Sequence, residues 1–292
     1  MIGVLSCHAI FNEMAFCISQ RFQFELVKDF NPKDGDIYIV LGAHDKAVEL
    51  YSVQKQMNNK IGYIIYNSEQ CGSDYWRNKY YTMLCKDNVV FNYSNDLAKE
   101  LEKKFKISTY SFFTWDYLTW AEPEPHEHYD IVFVGSKSEE REELHQTLLK
   151  EFPDKKILFH YENQYVAPDK LTSLLRNTDV LINFPYYKDN ILATHRINKG
   201  ISCGCKVVST FSSDNDMNEY YENYIYFSNN IPKFLKKAYA EGFVPKKNWE
   251  QFTQEVGKKF LPHNLQLIKH IETKLADKLE KDKATQSSDI SV

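Results

Sequence analysis

Residues 181–210 read LINFPYYKDNILATHRINKGISCGCKVVST. The stretch opens on an apolar run, residues 180–184, that reads as a buried strand. A polar and aromatic loop follows, then a helical segment over residues 194–203. Gly204 closes it, since glycine takes the left-handed backbone that most often stops a helix. A second β-branched run, residues 206–210, reads as another strand. Strand, helix and strand in succession form a crossover unit, the connection that parallel strands require.

The same rhythm continues in both directions. Upstream, strands are expected over residues 2–7, 36–41, 60–66, 88–91 and 107–112. Helices are expected over 13–29, 45–57 (with Asp45 as N-cap), 73–84 and 95–104. No Asn-Gly type of turn joins these runs, so hairpins are disfavoured. Residues 115–129 break the pattern with AEPEPHEH, an acidic, proline-bearing stretch that cannot continue a helix or a central strand. The pattern then restarts, with strands over 130–134 and 155–160 and helices over 139–152 and 169–176. Residues 219–227 carry no clear period, and 231–241 and 249–276 are helical. The fold class expected is α/β, with two Rossmann-like, doubly wound parallel-sheet domains facing across a cleft. The domains are residues 1–114 and 130–277, joined by the linker 115–129. Residues 278–292 are polar and aperiodic and are expected to be disordered.

Composition narrows the function. The 292 residues carry 36 Lys and Arg against 40 Asp and Glu, a net charge of −4. A nucleic-acid binder normally shows a basic surplus, so that class is set aside. No apolar run approaches the ~20 residues of a bilayer span. The first nine residues lack the basic start of a signal peptide, so a cytoplasmic location is expected. The six cysteines are scattered and read as free thiols. Cys203 and Cys205 are too closely spaced for the usual metal pair, and no metal site is expected.

In open parallel sheets, ligands bind beyond the carboxyl ends of the strands. That singles out residues 7–12, 66–73, 135–138, 184–192 and 209–216. In the second of the repeated patterns, Gly135, Ser136 and Lys137 lie between a buried strand and a helix that carries Arg141. Backbone N–H groups and the helix dipole there suit an anion, with Lys137 and Arg141 adding charge. An ordinary strand-to-helix turn is the plain alternative. Thr194, His195, Arg196 and Asn198 crowd the start of the next helix. Arg196 there opposes the helix dipole, which a bound anion or a nearby carboxylate would compensate.

Three segments, in order, resemble the GT-B glycosyltransferases, the twin-Rossmann class with a group 1-like C-terminal domain. They are IYNSEQ at residues 65–70, DIVFVG at 130–135 and the stretch from Leu181 to Val208. The resemblance implies a hexosyl- or pentosyltransferase that works without a bound metal or a permanent cofactor. Its donor would be a nucleotide sugar, a UDP- or GDP-sugar first, held by the C-terminal domain. Its acceptor would be a glycan or another hydroxyl compound, on the N-terminal domain. Arg196 and Lys137 would neutralise the diphosphate, and the 184–190 loop would shape the donor pocket. Asn183 and Tyr187 would bind ribose or sugar hydroxyls. The candidate donor set is Gly135, Ser136, Lys137, Arg141, Asn183, Tyr186, Tyr187, Thr194, His195, Arg196 and Lys199.

The chain departs from that pattern at Ala193 and Lys199, where the family often carries Glu, and at Thr210. A catalytically silent nucleotide-sugar-binding relative, or a partner module in a glycosylation assembly, is therefore the second reading. A plain nucleotide-binding regulator is a third, but it needs only one domain. For an inverting reaction the candidate bases are His8 and Glu69, each just after a strand, with Asp116 behind them. The lysines between 233 and 259 would permit peripheral contact with anionic lipid, against the plainer reading of a solvated helix face.

Overall fold

A computed structural model describes residues 2–114, 127–161, 166–187 and 191–289, with side chains as far as residue 277. The linker residues 115–126, with Asp116, and residues 188–190 of the expected donor loop lie outside the described residues. The chain divides into two compact units, residues 1–114 with 258–292, and residues 115–257.

In the first unit the described residues form a six-stranded sheet. Its strands are β1 (Ile2–Ser6), β2 (Glu25–Val27), β3 (Ile37–Leu41), β4 (Gly62–Asn67), β5 (Val89–Asn92) and β6 (Thr109–Ser111), in the order β2-β1-β3-β4-β5-β6. Every pairing is parallel. β3 and β4 are buried throughout, as expected of strands covered on both faces. The helices α1 (Asn12–Phe22), α2 (Ala47–Gln56), α3 (Lys79–Asp87) and α4 (Asn95–Phe105) connect the strands.

Several boundaries differ from expectation for local reasons. α1 stops at Phe22 instead of running to residue 29, because Gln23 turns left-handed at φ 57°. The freed chain then adds β2 to the edge of β1. Asp45 does not cap α2. The helix starts two residues later at Ala47, after a cap residue, Lys46, that makes no side-chain cap bond. Over residues 73–84, Ser73 caps a 3-10 turn and Asn78 starts α3 by accepting from Tyr80 and Tyr81 N–H.

The second unit holds β7 (Tyr129–Gly135), β8 (Ile157–Tyr161), β9 (Thr178–Asn183), β10 (Lys206–Ser209) and β11 (Tyr226–Phe227). Their order is β11-β10-β9-β7-β8, again all parallel. Its helices are α5 (Glu139–Glu151), α6 (Pro168–Arg176), α7 (Thr194–Ser202), α8 (Asn215–Tyr221) and α9 (Ile231–Glu241). Gly204 ends α7 at φ 87°, the stop read from the sequence. The indistinct stretch 219–227 resolves into the end of α8, capped by Asp214, and β11. Ile131, Phe133, Leu148, Val180, Ile182 and Val208 form the core beneath α5 and α9. Each such side chain contributes roughly 1.5–3 kcal/mol by leaving water.

The last helix, α10 (Trp249–Asp289), corrects two expectations. Residues 258–277 group with the first unit, not the second. Beyond them the backbone stays helical through Asp289, where disorder was expected. Pro262, which cannot donate in the helical ladder, lies close after the change of unit at residues 257 and 258. Phe260 then meets Phe113 at 4.2 Å, Asn264 donates to the Phe113 carbonyl at 2.9 Å, and Leu275 packs on Gly62. Ile268 and Ile271 are buried with them.

Candidate functional site

In the second unit the chain leaves β7 toward β8 and returns on the other side to β9. The crevice at such a reversal is where open parallel sheets bind ligands. Arg196 reaches into it from α7. Its Nε donates to the Val134 carbonyl and its Nη1 to Asn183 Oδ1, both at 2.8 Å. The guanidinium lies 5.0 Å over the Phe133 ring. Gly135 makes the approach possible, because a Cβ there would stand 2.7 Å from Arg196 Nη2. Asn183 is buried and donates to Ser209 Oγ at 2.9 Å, which ties the ends of β9 and β10. Thr194 opens α7 with its hydroxyl buried and without a hydrogen-bond partner.

Arg141 has a structural task beside the one expected. It is 4% exposed and donates to the carbonyls of Ser136 at 2.6 Å, Phe184 at 2.7 Å and Pro185 at 3.2 Å. It fastens the loops after β7 and β9 to each other. Tyr186, largely exposed, covers it at 5.3 Å and meets Tyr187 edge-on. Lys137 is exposed and paired with Glu142 at 3.2 Å. Burial, reinforced by Arg196, pushes His195 down to about 4, so its ring is neutral near pH 7 and supplies no charge. Lys199 is buried at 3% exposure.

In the first unit the corresponding reversal lies between β1 and β3. His8 follows β1 and accepts the Ile10 N–H on Nδ1 at 3.2 Å. His44, which the sequence reading passed over, lies after β3 at 8% exposure. Its Nε2 stands 3.6 Å from Glu69 Oε1 and 3.7 Å from Asp45 Oδ2. Burial lowers its pKa, the two carboxylates oppose that, and His8 adds to it. Glu69 accepts from Ser73 Oγ on its other oxygen at 2.8 Å. Asn67 holds the Glu69 backbone at both its N–H and its carbonyl, and is itself held by Tyr81 and Asn92. Arg77, a possible partner of Glu69, pairs with Asp74 instead. The signal for His44 was its place one turn past a buried strand, the same place His8 occupies.

Two other features are accounted for locally. His128, Asp130 and Asp179 come together at the opposite ends of β7 and β9. Asp130 engages both oxygens with Lys155 Nζ and the Lys156 N–H, which hold its carboxyl below the usual range despite partial burial, so the trio is an ion-pair cluster. Of the 233–259 lysines, Lys236, Lys237 and Lys247 pair with Glu151, Glu241 and Glu255, the pattern of a solvated face. Among the described residues no helix is long and apolar enough to cross a membrane.

No protein-family model matches the chain, and no curated protein is similar to it in sequence. Solved structures are similar in fold. Anabaena HepE in complex with UDP superposes with a TM-score of 0.50 at 8% identity, over 93% of this chain and 99% of that one. The trehalose-phosphate synthase of Burkholderia vietnamiensis gives 0.47 at 11% identity, over 96% of this chain and 75% of that one. Sucrose-phosphate synthase of Thermosynechococcus elongatus gives 0.46 at 13%, over 94% and 78%. Two successive doubly wound parallel units in one chain define the GT-B class of fold, which is the class the sequence resembles. At these identities the likeness is one of fold.

Proposed function

We propose that the chain is a glycosyltransferase whose second unit holds a nucleoside diphosphate sugar and whose first unit holds a hydroxyl acceptor. The observation that carries this reading is Arg196 laid across the β7–β9 reversal against Val134 and Asn183. Both of these acceptors are oxygens at the strand ends, so they fix the guanidinium at the reversal. A nucleoside diphosphate leaving C1 of the sugar gathers negative charge, and a cation fixed beforehand stabilises it. The Thr194 hydroxyl and the α7 N-terminus add donors on the same side. The shared fold of HepE, which binds UDP, supports a uridine nucleotide as the first donor to try. Arg141 and His195 act on this site indirectly, the first by fixing its loops and the second as a neutral neighbour.

In the transfer, the bond between C1 and the phosphate oxygen breaks and one from C1 to the acceptor oxygen forms. An inverting course needs a group to take the acceptor's proton. Glu69, partly open to solvent and fixed through Ser73 and Asn67, fits that need better than His8 does.

The second reading, a silent binder of nucleotide sugars, rests on Ala193 and the buried Lys199 standing where the resemblance expects Glu. A thermal-shift screen over UDP-, GDP-, dTDP- and CMP-sugars, followed by donor hydrolysis and transfer to hydroxyl acceptors, separates the two. Stabilisation with turnover is expected. Stabilisation without turnover selects the silent binder, and no stabilisation by any nucleotide removes both.

A further inference from the structure

The two sheets end on four edge strands, and three of these are short. β2 and β6 have three residues each and β11 has two, whereas β8 has five. An edge strand offers unpaired N–H and C=O groups to another strand. Proteins usually blunt it by shortness, a charge, a proline or a bulge. β8 reads Ile157-Leu158-Phe159-His160-Tyr161 and contains no acid, lysine, arginine, proline or glycine. Its register with β7 runs without a bulge from Ile157 to Tyr161. Only Phe159 is buried; the other four residues are half-buried.

The direction of its backbone groups follows from the ladder. The Lys156 carbonyl accepts from the Asp130 N–H at 2.9 Å and the Ile131 N–H at 3.3 Å, so it points toward β7. Alternate residues of a strand point their backbone groups to the same side. Leu158 and His160 therefore bond to β7, and Ile157, Phe159 and Tyr161 turn their N–H and C=O groups outward. Among the described residues no strand or loop pairs with those outward groups.

Their spacing is self-complementary. In an antiparallel pair, facing residues can exchange both of their backbone bonds. A two-fold axis at Phe159 sets it against the partner's Phe159, and Ile157 against the partner's Tyr161. Every outward N–H and C=O then has a mate. The side chains agree, since aromatic meets aromatic and β-branched meets aromatic, both favourable cross-strand pairs. With no formal charge at Ile157, Phe159 or Tyr161, the axis brings no like charges together. Identical edges close in this way without leaving a free one, as a two-fold interface requires. We propose that β8 is a self-association edge, through which two copies of the chain join their second sheets antiparallel into one continuous sheet. The inference stands apart from the nucleotide reading, because β8 supplies none of the groups assigned to the donor.

The test follows the full chain by sedimentation from about 1 μM to about 300 μM, with amide hydrogen exchange at both ends of the series. A few backbone bonds and a modest area place the dimer among weak associations, with a dissociation constant on the order of 10 μM. The amides of Ile157, Phe159 and Tyr161 are expected to exchange about tenfold more slowly at the high concentration. Those of Leu158 and His160, bonded to β7, should be protected at both. Ile157→Pro removes an outward donor and none of the β7 ladder, and proline is tolerated at the first residue of an edge strand. It should weaken the dimer about tenfold or more, while Leu158 and His160 stay protected. If the variant does not fold, the exchange of the unaltered chain still decides. A monomer at every concentration overturns the inference. So does a dimer in which the three outward amides exchange equally at both concentrations, or one that Ile157→Pro leaves intact. Protection of the outward amides in the monomer overturns it too, by showing that the chain covers its own edge.

Discussion

The two units repeat one architecture and load it with opposite charge. Each has a parallel sheet whose strand order reverses, between β1 and β3 in the first and between β7 and β9 in the second. The first reversal gathers Asp45, Glu69 and a histidine; the second gathers Arg196 and Arg141. Even the histidines obey different neighbours. Carboxylates oppose the effect of burial on His44, whereas Arg196 reinforces it on His195. The backbone therefore supplies the crevice, and a few side chains set the sign of its charge.

The largest effect is expected where the second reversal is held together. Arg141→Met leaves the carbonyls of Ser136, Phe184 and Pro185 without their donor and should cost about 4 kcal/mol in urea unfolding. Arg141→Lys should recover little of it, because an ammonium cannot reproduce the fork. A loss under 1 kcal/mol would show that the two loops hold without this tie.

Acid should come next and should distinguish the units. The unfolded chain protonates a histidine near 6.5, but folded His195 resists until about 4. Between those values the unfolded state binds more protons, so stability is full above pH 6.5 and falls as pH drops toward 4. The loss is about 3 kcal/mol at 1.36 kcal/mol per pH unit. His195→Gln should flatten that slope, and His44→Gln should change it less. Equal flattening by both, followed as urea midpoints from pH 7 to pH 4.5, would erase the contrast.

Arg196→Ala tests the charge itself. A nucleotide at a hundred times its dissociation constant adds ~2.7 kcal/mol of apparent stability, and the variant should lose that increment. An unchanged thermal shift would take Arg196 out of the site. The smallest effect should come from Gly135→Ala, whose methyl meets Arg196 Nη2 and displaces it. Nucleotide affinity should fall about fivefold, or ~1 kcal/mol, with little change in melting temperature.

The sheets were legible because their strands are continuous apolar runs, residues 37–41 and 131–134 above all. β2 was not. Its three residues sit on an exposed edge, and Gln23 takes a left-handed turn without the glycine that would announce it. Arg141 looked like a ligand for anions because spacing places it in the first turn of α5. Only coordinates show its side chain folded back on carbonyls distant in sequence. His44 belongs to no motif and acquires meaning from the carboxylates of Asp45 and Glu69 beside it. Periodicity marked residues 249–276 as helix, but a helical stripe does not say which sheet it covers.

That last helix makes the first unit discontinuous in sequence. Phe113, the Gly62 backbone and the neighbouring core keep an uncovered apolar flank until residues 258–277 arrive. On a ribosome, the second unit is made entirely before the first can close, so the order of synthesis is not the order of completion. Release of a chain cut near residue 257 would leave the earlier unit, not the later one, as the species that chaperones must shield.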